Sequence, residues 1–442
     1  VTSSHTARRL CHWFSILASA LDVRSAPRLA RLFLGAVLAR GRRTVTSWIR
    51  AAGLSGEFRP CYTTVSAAGK RTDLIAHLAH EVVKPLAAGA GRLTFALDDT
   101  PTERYGRHVQ GAGVHHNPTP GPAGSSFVYG HVWVVLGLLA RHPSWGVIAL
   151  PLLARLYVRR KDLGGIEEPH RPVFATKLEL AVGLVRWAKC WLGHLGKPLW
   201  VVADGAYAKA AFLKPLIGLG VVAVSRLRKD AALRTVPVAR PGKPGRPRKY
   251  GDRRIELAKR AGQRRGWATE TFEVYGKKVT KRYKTFRATW RPAGGEIRVV
   301  LVDEPTGWVA FFCTDPTATV ADILGCVADR FSLETCFRDL KEVVGAGQQQ
   351  VRHVWASVGA LHVCLWAFTM TEAWAWDRDE DALVGHRSAS PWDDRPRRPS
   401  HADKRRAWRR ELLASEIDAV LRDGADDEEI RDLAERLLSL AA

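Results

Sequence analysis

In the run ADRFSLETCFRDLKEVVG, Arg330, Glu334 and Lys341 follow one another at steps of four and eleven residues from the arginine. On a helix turning about 100° per residue, these steps set the three within roughly 40° of one another. An acid between two bases on one stripe can hold a cation or a phosphate. Two further acids stand where apolar, strand-like runs end: Asp98 in LTFALDDTP and Asp204 in LWVVADGAY. Carboxylates at strand ends are costly unless they bind a cation or pair with a base. Each has a plainer alternative. Asp204 could cap the next helix through its backbone amides, and Glu334 could belong to a surface ion-pair ladder with Arg330 and Arg338. Asp98 and Asp99 compete for one role, because successive strand side chains face opposite ways; Asp98 is the expected member. Three converging carboxylates repel one another unless divalent metal neutralises them. An oxygen-only donor set with no supporting Cys or His cluster suits Mg2+ or Mn2+. Two such ions about 4 Å apart would activate a water or a 3′-hydroxyl and stabilise the leaving oxygen of an in-line phosphodiester displacement. Arg330 and Lys341 would then hold phosphates beside the scissile bond.

Other candidates carry less. His115 and His116 lie in a Gly/Pro-rich stretch without a ligand partner at regular spacing. Ser125 and Ser126 lack the Gly-x-Ser-x-Gly elbow of serine hydrolases. The segment Pro244-Gly245-Arg246-Pro247-Arg248-Lys249 is similar to an AT-hook core, in which arginine enters a narrow minor groove; a basic loop touching phosphates is the simpler alternative. Trp267 and Trp290 fall among basic residues, where either could stack on an unpaired base or serve a sheet core.

The chain must hold these groups with 442 residues, 46% of them apolar, enough for a large core and smaller modules. Lys and Arg number 68 against 44 Asp and Glu, a net charge of +24 that favours a polyanionic partner such as double-stranded DNA. Membrane lipid is the rival polyanion. The most apolar stretch, VWVVLGLLARHPSWGVIALPLLARLYV, is broken by Arg141, His142 and Pro143 into two strand-length runs too short to span a bilayer. Seven scattered cysteines without a Cys-x-x-Cys pair indicate neither a disulfide framework nor a zinc site. The first residues lack an apolar segment followed by a small-residue cleavage site, so a reduced cytoplasm is expected.

The pattern divides as follows. Residues 1–90 read as short helices with basic residues between them, either a helix-turn-helix-like DNA-binding region or an ordinary helical subdomain; Thr44 or Thr46 could cap a short helix ending before Gly53. Residues 91–228 give three strands, a helix, a strand, a helix and a strand, the mixed α/β order of a ribonuclease H-like sheet with flanking helices. Residues 229–316 interrupt it with a basic, β-rich antiparallel insertion. Residues 317–376 return to the core with the Glu334 helix and a second apolar helix. Residues 377–442 form a charged linker and two surface helices.

With Asp98, Asp204 and the Arg330-Glu334-Lys341 run in place, the chain resembles bacterial insertion-sequence transposases with a DDE catalytic domain. It is similar to the group whose third acid lies in a Tyr-x2-Arg-x3-Glu-x6-Lys signature, with Val327 where the tyrosine would stand. LDDT at 97–100 is similar to the first-aspartate strand and VADGAY at 202–207 to the second. The resemblance covers roughly residues 40–375. It implies Asp98, Asp204 and Glu334 as catalytic metal ligands for two Mg2+ or Mn2+ ions, and contacts to DNA from Arg330, Lys341, Arg246, Arg248, Lys249 and Trp290. The implied reaction is cleavage at transposon ends and attack of the freed 3′-hydroxyl on target DNA, by a homodimer at the bacterial nucleoid. It also implies a hairpin route in which a base flips against a tryptophan of the insertion. A stand-alone structure-selective nuclease and a catalytically inactive DNA-binding remnant are the alternatives.

Overall fold

The computed structural model describes residues 12–116, 124–238, 248–385 and 397–422, with isolated positions 430, 431, 434 and 437. The helical first part comprises α1 (residues 12–18), α2 (Ala26–Leu38), α3 (Val45–Ala51), α4 (Phe58–Lys70) and α5 (Thr72–Val83). Thr44 caps α3, its hydroxyl accepting the Ser47 N–H at 3.1 Å.

Then come β1 (Leu93–Glu103), β2 (Gly113–His116), β3 (Phe127–His142), β4 (Gly146–Tyr157), α6 (Lys177–Leu192), β5 (Leu199–Ala203), α7 (Ala210–Gly218) and β6 (Val222–Leu227). The runs broken at Arg141–Pro143 are β3 and β4, a hairpin whose middle is buried. β4 pairs with β3, β3 antiparallel with β1, β1 parallel with β5, and β5 parallel with β6. This mixed order fits a ribonuclease H-like sheet. The three-residue connection of the antiparallel β3–β4 hairpin contrasts with the helical crossovers, through α6 and α7, where the strands run parallel.

The segment expected to interrupt the core instead widens it. It holds β7 (Leu233–Arg234), β8 (Arg254–Ile255), α8 (Leu257–Gly262), β9 (Ala268–Val274), β10 (Lys277–Trp290), β11 (Gly295–Asp303) and β12 (Val309–Cys313). β12 pairs directly with the core edge strand β6, and β11 and β10 follow, giving one sheet of twelve strands among the described residues. An exposed β6 edge would leave its N–H and C=O groups unpaired, and this segment satisfies them.

β9 and β10 join through a two-residue turn, Tyr275-Gly276, with both φ values positive, 54° and 70°. Such turns favour Asn-Gly, because a tyrosine Cβ is crowded in the left-handed region. Tyr275→Asn is expected to raise the unfolding free energy by up to about 1 kcal/mol, read from a denaturant midpoint, whereas an unstrained turn would give no gain.

The last part consists of α9 (Val320–Asp339), a π-helical turn (Leu340–Val344), α10 (Val354–Ala375), α11 (Glu380–Val384) and α12 (His401–Arg422). α9 packs across β1, β4, β5 and β6, while α6 lies against β3 and β4. α10 is apolar around its whole circumference and long enough to cross a membrane, but 94% of its most apolar window is buried inside the protein. It crosses α4 at two glycines. A Cβ on Gly69 would lie 2.0 Å from the Trp355 carbonyl, and one on Gly359 would lie 1.8 Å from that of Val65. The helices of residues 1–90 therefore share one core with the sheet and do not stand apart from it.

α12 departs from the surface helix that its charges suggest. Trp408 is fully buried between Phe14 and Trp374. On the same helix His401 and Lys404, both buried, reach Glu372 of α10 at 2.7 and 2.5 Å. Burial alone would raise the Glu372 carboxyl, but Lys404 and His401 outweigh it and hold the group near 2, from an ordinary 4.5. A carboxyl lowered on folding stabilises the fold above its unfolded pKa. That contribution is lost as pH falls from about 4.5 toward 2. Lys404→Met, which leaves the Glu372 charge buried beside His401 alone, is expected to cost about 3 kcal/mol at neutral pH and to flatten this acid limb. An unchanged Tm and acid limb would show that the pair does not hold α12.

Candidate active site

The register of β1 on β5 runs from Leu93 opposite Leu199 to Leu97 opposite Ala203. Asp98 and Asp204 are the next residues on these adjacent chains, so the two acids stand at the same level, where β5 ends and β1 continues beside β3 to Glu103. Beyond Ala203 the chain turns at Gly205, and Asp204 accepts the Ala206 N–H at 3.1 Å. The cap uses one carboxylate oxygen; the other makes no hydrogen bond among the described residues.

Asp98 and Asp99 point to opposite faces of β1. Asp98 turns to α9, where Arg330 donates to its Oδ2 at 2.5 Å. The same guanidinium donates from its other terminal nitrogen to Glu334 Oε1 at 2.7 Å. Arg330 thus sits as a cation between an acid of the sheet and an acid of the helix. Asp99 turns to α6, accepting from Lys177 Nζ at 2.5 Å and from Tyr207 Oη at 3.0 Å.

The electrostatics follow from burial. Asp98 is 18% exposed, and loss of water pushes its carboxyl up to about 6. Arg330 and the Asp99 N–H pull the other way, while the charges of Asp99 and Asp204 add to the rise. Tyr207 is raised as well, by burial and then by Asp99. Asp98, Asp99 and Asp204 therefore feel one another, and the site favours positive charge. Among the described residues no three Asp, Glu, His or Cys side chains converge closely enough to hold an ion as they stand. The donors are nonetheless all carboxylate oxygens, and the guanidinium between Asp98 and Glu334 stands where a divalent cation would neutralise both. The residues fit Mg2+ or Mn2+, provided Arg330 yields its place.

Lys341 lies elsewhere than a straight helix predicts. α9 gives way to the π-helical turn at Leu340, which changes the phase of everything after it. Lys341 is carried to the far end of β1, toward Glu103. Burial lowers its ammonium, and Glu103 and Glu342 partly offset this. Val327 is partly buried against the core.

The basic segment divides. Arg246 lies outside the described residues, while Arg248 and Lys249 are exposed, Arg248 pairing with Asp252 at 2.5 Å. Trp290 is not available to a base. It ends β10 with 7% of its surface exposed and its ring edge-on to Phe312 at 5.0 Å, a sheet-core residue. Trp267 is partly exposed, with the Arg282 and Lys284 cations 4.9 and 4.8 Å from its ring. His115 and His116 stand on β2, the first buried and the second exposed.

Four residues of this region escaped the sequence reading: Lys177, Tyr207, Tyr275 and Phe331. A lysine in the first turn of a helix opposes the helix dipole, and that misfit was the available sign that Lys177 has an acid partner. Tyr275, at the hairpin tip, meets Phe331 of α9 edge-on at 6.0 Å, and both rings are exposed. Nothing in local sequence pairs residues so far apart.

Residues 17–295, more than half of the chain, match the family model described as DDE superfamily endonuclease. The chain belongs to the DDE superfamily of endonucleases. The match contains Asp98 and Asp204 and ends before Glu334, which in this DDE endonuclease is tied to Asp98 by the Arg330 bridge. No curated protein matches the sequence.

In this endonuclease Arg330 and a divalent ion would compete for the same carboxylates. Arg330→Gln is expected to bind Mn2+ at least several-fold more tightly than the wild type, by calorimetry, because the competing cation is gone. Equal affinities would place the ion away from Asp98 and Glu334.

Proposed function

We propose that this DDE endonuclease is a transposase of the insertion-sequence type, which cuts DNA at the ends of a mobile element and joins them to a target. The observation that carries the reading is the register of β1 on β5, which brings Asp98 and Asp204 to one level, with Glu334 linked to Asp98 through Arg330. Family membership supplies the class of chemistry, nucleic-acid cleavage.

When bound, Mg2+ or Mn2+ would supply a water or hydroxyl of lowered pKa and neutralise charge on the leaving oxygen. The chain's own groups do the rest. Asp98, Asp204 and Glu334 provide the oxygen donors. Arg330, displaced from between Asp98 and Glu334, is left within reach of the phosphate being attacked, where a guanidinium can make paired hydrogen bonds. Asp99 does not share the donor role; held by Lys177 and Tyr207, it fixes the middle of β1 and hence the aim of Asp98. Lys341 and the exposed Arg248 and Lys249 extend the contact with the backbone of double-stranded DNA. Tyr275 and Phe331, exposed where Trp290 is buried, would be the rings to stack on a base that leaves the duplex. Joining two ends calls for two active sites, so a homodimer is the working assembly.

The test is cleavage of a duplex carrying the element's own terminal sequence, with Mg2+, by the full chain. Asp98→Asn, Asp204→Asn and Glu334→Gln are each expected to lower the rate by more than about 100-fold, while Asp99→Asn retains most of it. Three variants that all cut normally would overturn the assignment of the site. Cleavage of branched DNA without any joined product would replace transposition by a structure-selective nuclease.

A further inference from the structure

The turn between α2 and α3 meets the middle of α12 at a cluster of guanidinium groups. Arg43 and Arg409 are each half-buried, and the Nε of each is shielded from solvent without a hydrogen-bond partner among the described residues. Arg405, one turn before Arg409, is satisfied differently. It donates to the carbonyls of Ala36 and Ala39 at 3.0 and 2.7 Å and to that of Val343 at 3.1 Å, a cation capping the carboxyl end of α2. Arg406 is exposed at the mouth of the cluster.

Among the described residues, the groups acting electrostatically on Arg405 and Arg409 are other arginines, apart from the Cys364 thiol beside Arg405. Burial, and then these like charges, lower Arg405 to about 9 and Arg409 to about 10. Buried like charges and idle donors are a standing cost. An anion would relieve both.

The cluster is continuous with the candidate active site. The Arg43 N–H donates to Gln348 Oε1 at 2.8 Å, and Gln349 Nε2 donates to the Arg43 carbonyl at 2.9 Å. The same loop borders a cleft lined by Arg42, Glu103 and Lys341, five residues along β1 from Asp98. Five strand residues span about 17 Å, roughly five base-pair steps of duplex. A strand of DNA leaving Asp98 would thus run past Lys341 and Arg42 toward Arg43 and Arg409.

We infer that Arg43 and Arg409, from the two ends of the chain, form a phosphate site that grips the DNA backbone about half a helical turn or more from the reacting phosphodiester. The inference rests on the reading of Asp98, Asp204 and Glu334 as the cleavage site, since that reading sets the path of the DNA. It assigns the charged last helix a role in substrate binding and makes the α2–α3 turn its counterpart.

The experiment uses the full chain, a 30-base-pair duplex and no divalent metal, with affinity followed by fluorescence anisotropy across a salt series. Arg43→Gln and Arg409→Gln, on separate elements, are each expected to flatten the plot of log K against log salt by about one and to weaken binding at low salt about tenfold. Because each substitution relieves repulsion in the free protein, Tm is expected to hold or rise. An unchanged slope in both variants overturns the inference, as does a lowered Tm with the slope retained, which would make the arginines structural. Cleavage with Mg2+ by the same preparations separates the two readings. If the wild type cuts and the slopes do not move, the phosphate site alone falls. If the slopes move and the wild type does not cut, the proposed function alone falls.

Discussion

Carboxylates brought to one level on adjacent strands repel one another, and the structure around Asp98 is an answer to that repulsion. Parallel pairing of β1 with β5 brings Asp98 and Asp204 to the same level, and burial removes the water that would screen Asp98. Asp98, the buried member, feels the charges of Asp99 and Asp204. Two devices answer them. Arg330 lies between Asp98 and Glu334, and Asp98 holds its proton to higher pH than an ordinary carboxylate. Both devices are reversible, as the proposed exchange of counter-charge for metal and phosphate requires. A permanent neutral pair would be more stable and inert.

The scaffold shows how such a site is held still. α9 carries Arg330 and Glu334, and it is anchored at its start by a reciprocal cap between Thr319 and Asp322 and by Arg92, which reaches Asp322 at 2.6 Å. Behind it, α10 is buried on all sides between the helices of the first ninety residues, the sheet and α12. The glycine contact of α4 with α10 and the Glu372–Lys404 pair fix those outer helices to the same core. Residues from both ends of the chain therefore move with the sheet, which gives the basic groups on α12 and on the α2–α3 turn a defined distance from Asp98.

Much of this was legible in the sequence, for identifiable reasons. The strands β1, β3, β4, β5 and β6 are apolar runs with clear breaks, and Arg330 and Glu334 stand at helical spacing. What was not legible depended on contacts distant in sequence. The strands after β6 read as an insertion because alternation reveals a strand but not its neighbour. Only the pairing of β12 with β6 shows that they enlarge the sheet. Trp290 looked available because basic residues surround it in sequence, yet a strand sends its side chains to alternate faces and this one faces Phe312. α12 looked like a surface helix because its mean hydropathy is low. Arg405 and Lys404 bury their stems and find backbone carbonyls and Glu372 at their tips.

The π-helical turn after Asp339 shows why the spacing of a motif is not its geometry. On an ideal helix Lys341 would stand with Arg330 and Glu334, crowding two cations onto one acid. The wider turn instead carries Lys341 along β1 toward Glu103, and the chain then closes through Gly345, whose φ of 84° suits glycine. Gly345 also leaves room for Arg43, since a Cβ there would lie 2.7 Å from the arginine's own side chain. One local irregularity thus separates the base that shares the carboxylates from the base that lies farther along the groove. It also admits the arginine of the α2–α3 turn to the same path. In the proposed function Arg330 then answers to the metal while Lys341 and Arg43 answer to the DNA backbone. Charge at the reacting phosphate and charge along the duplex become independent.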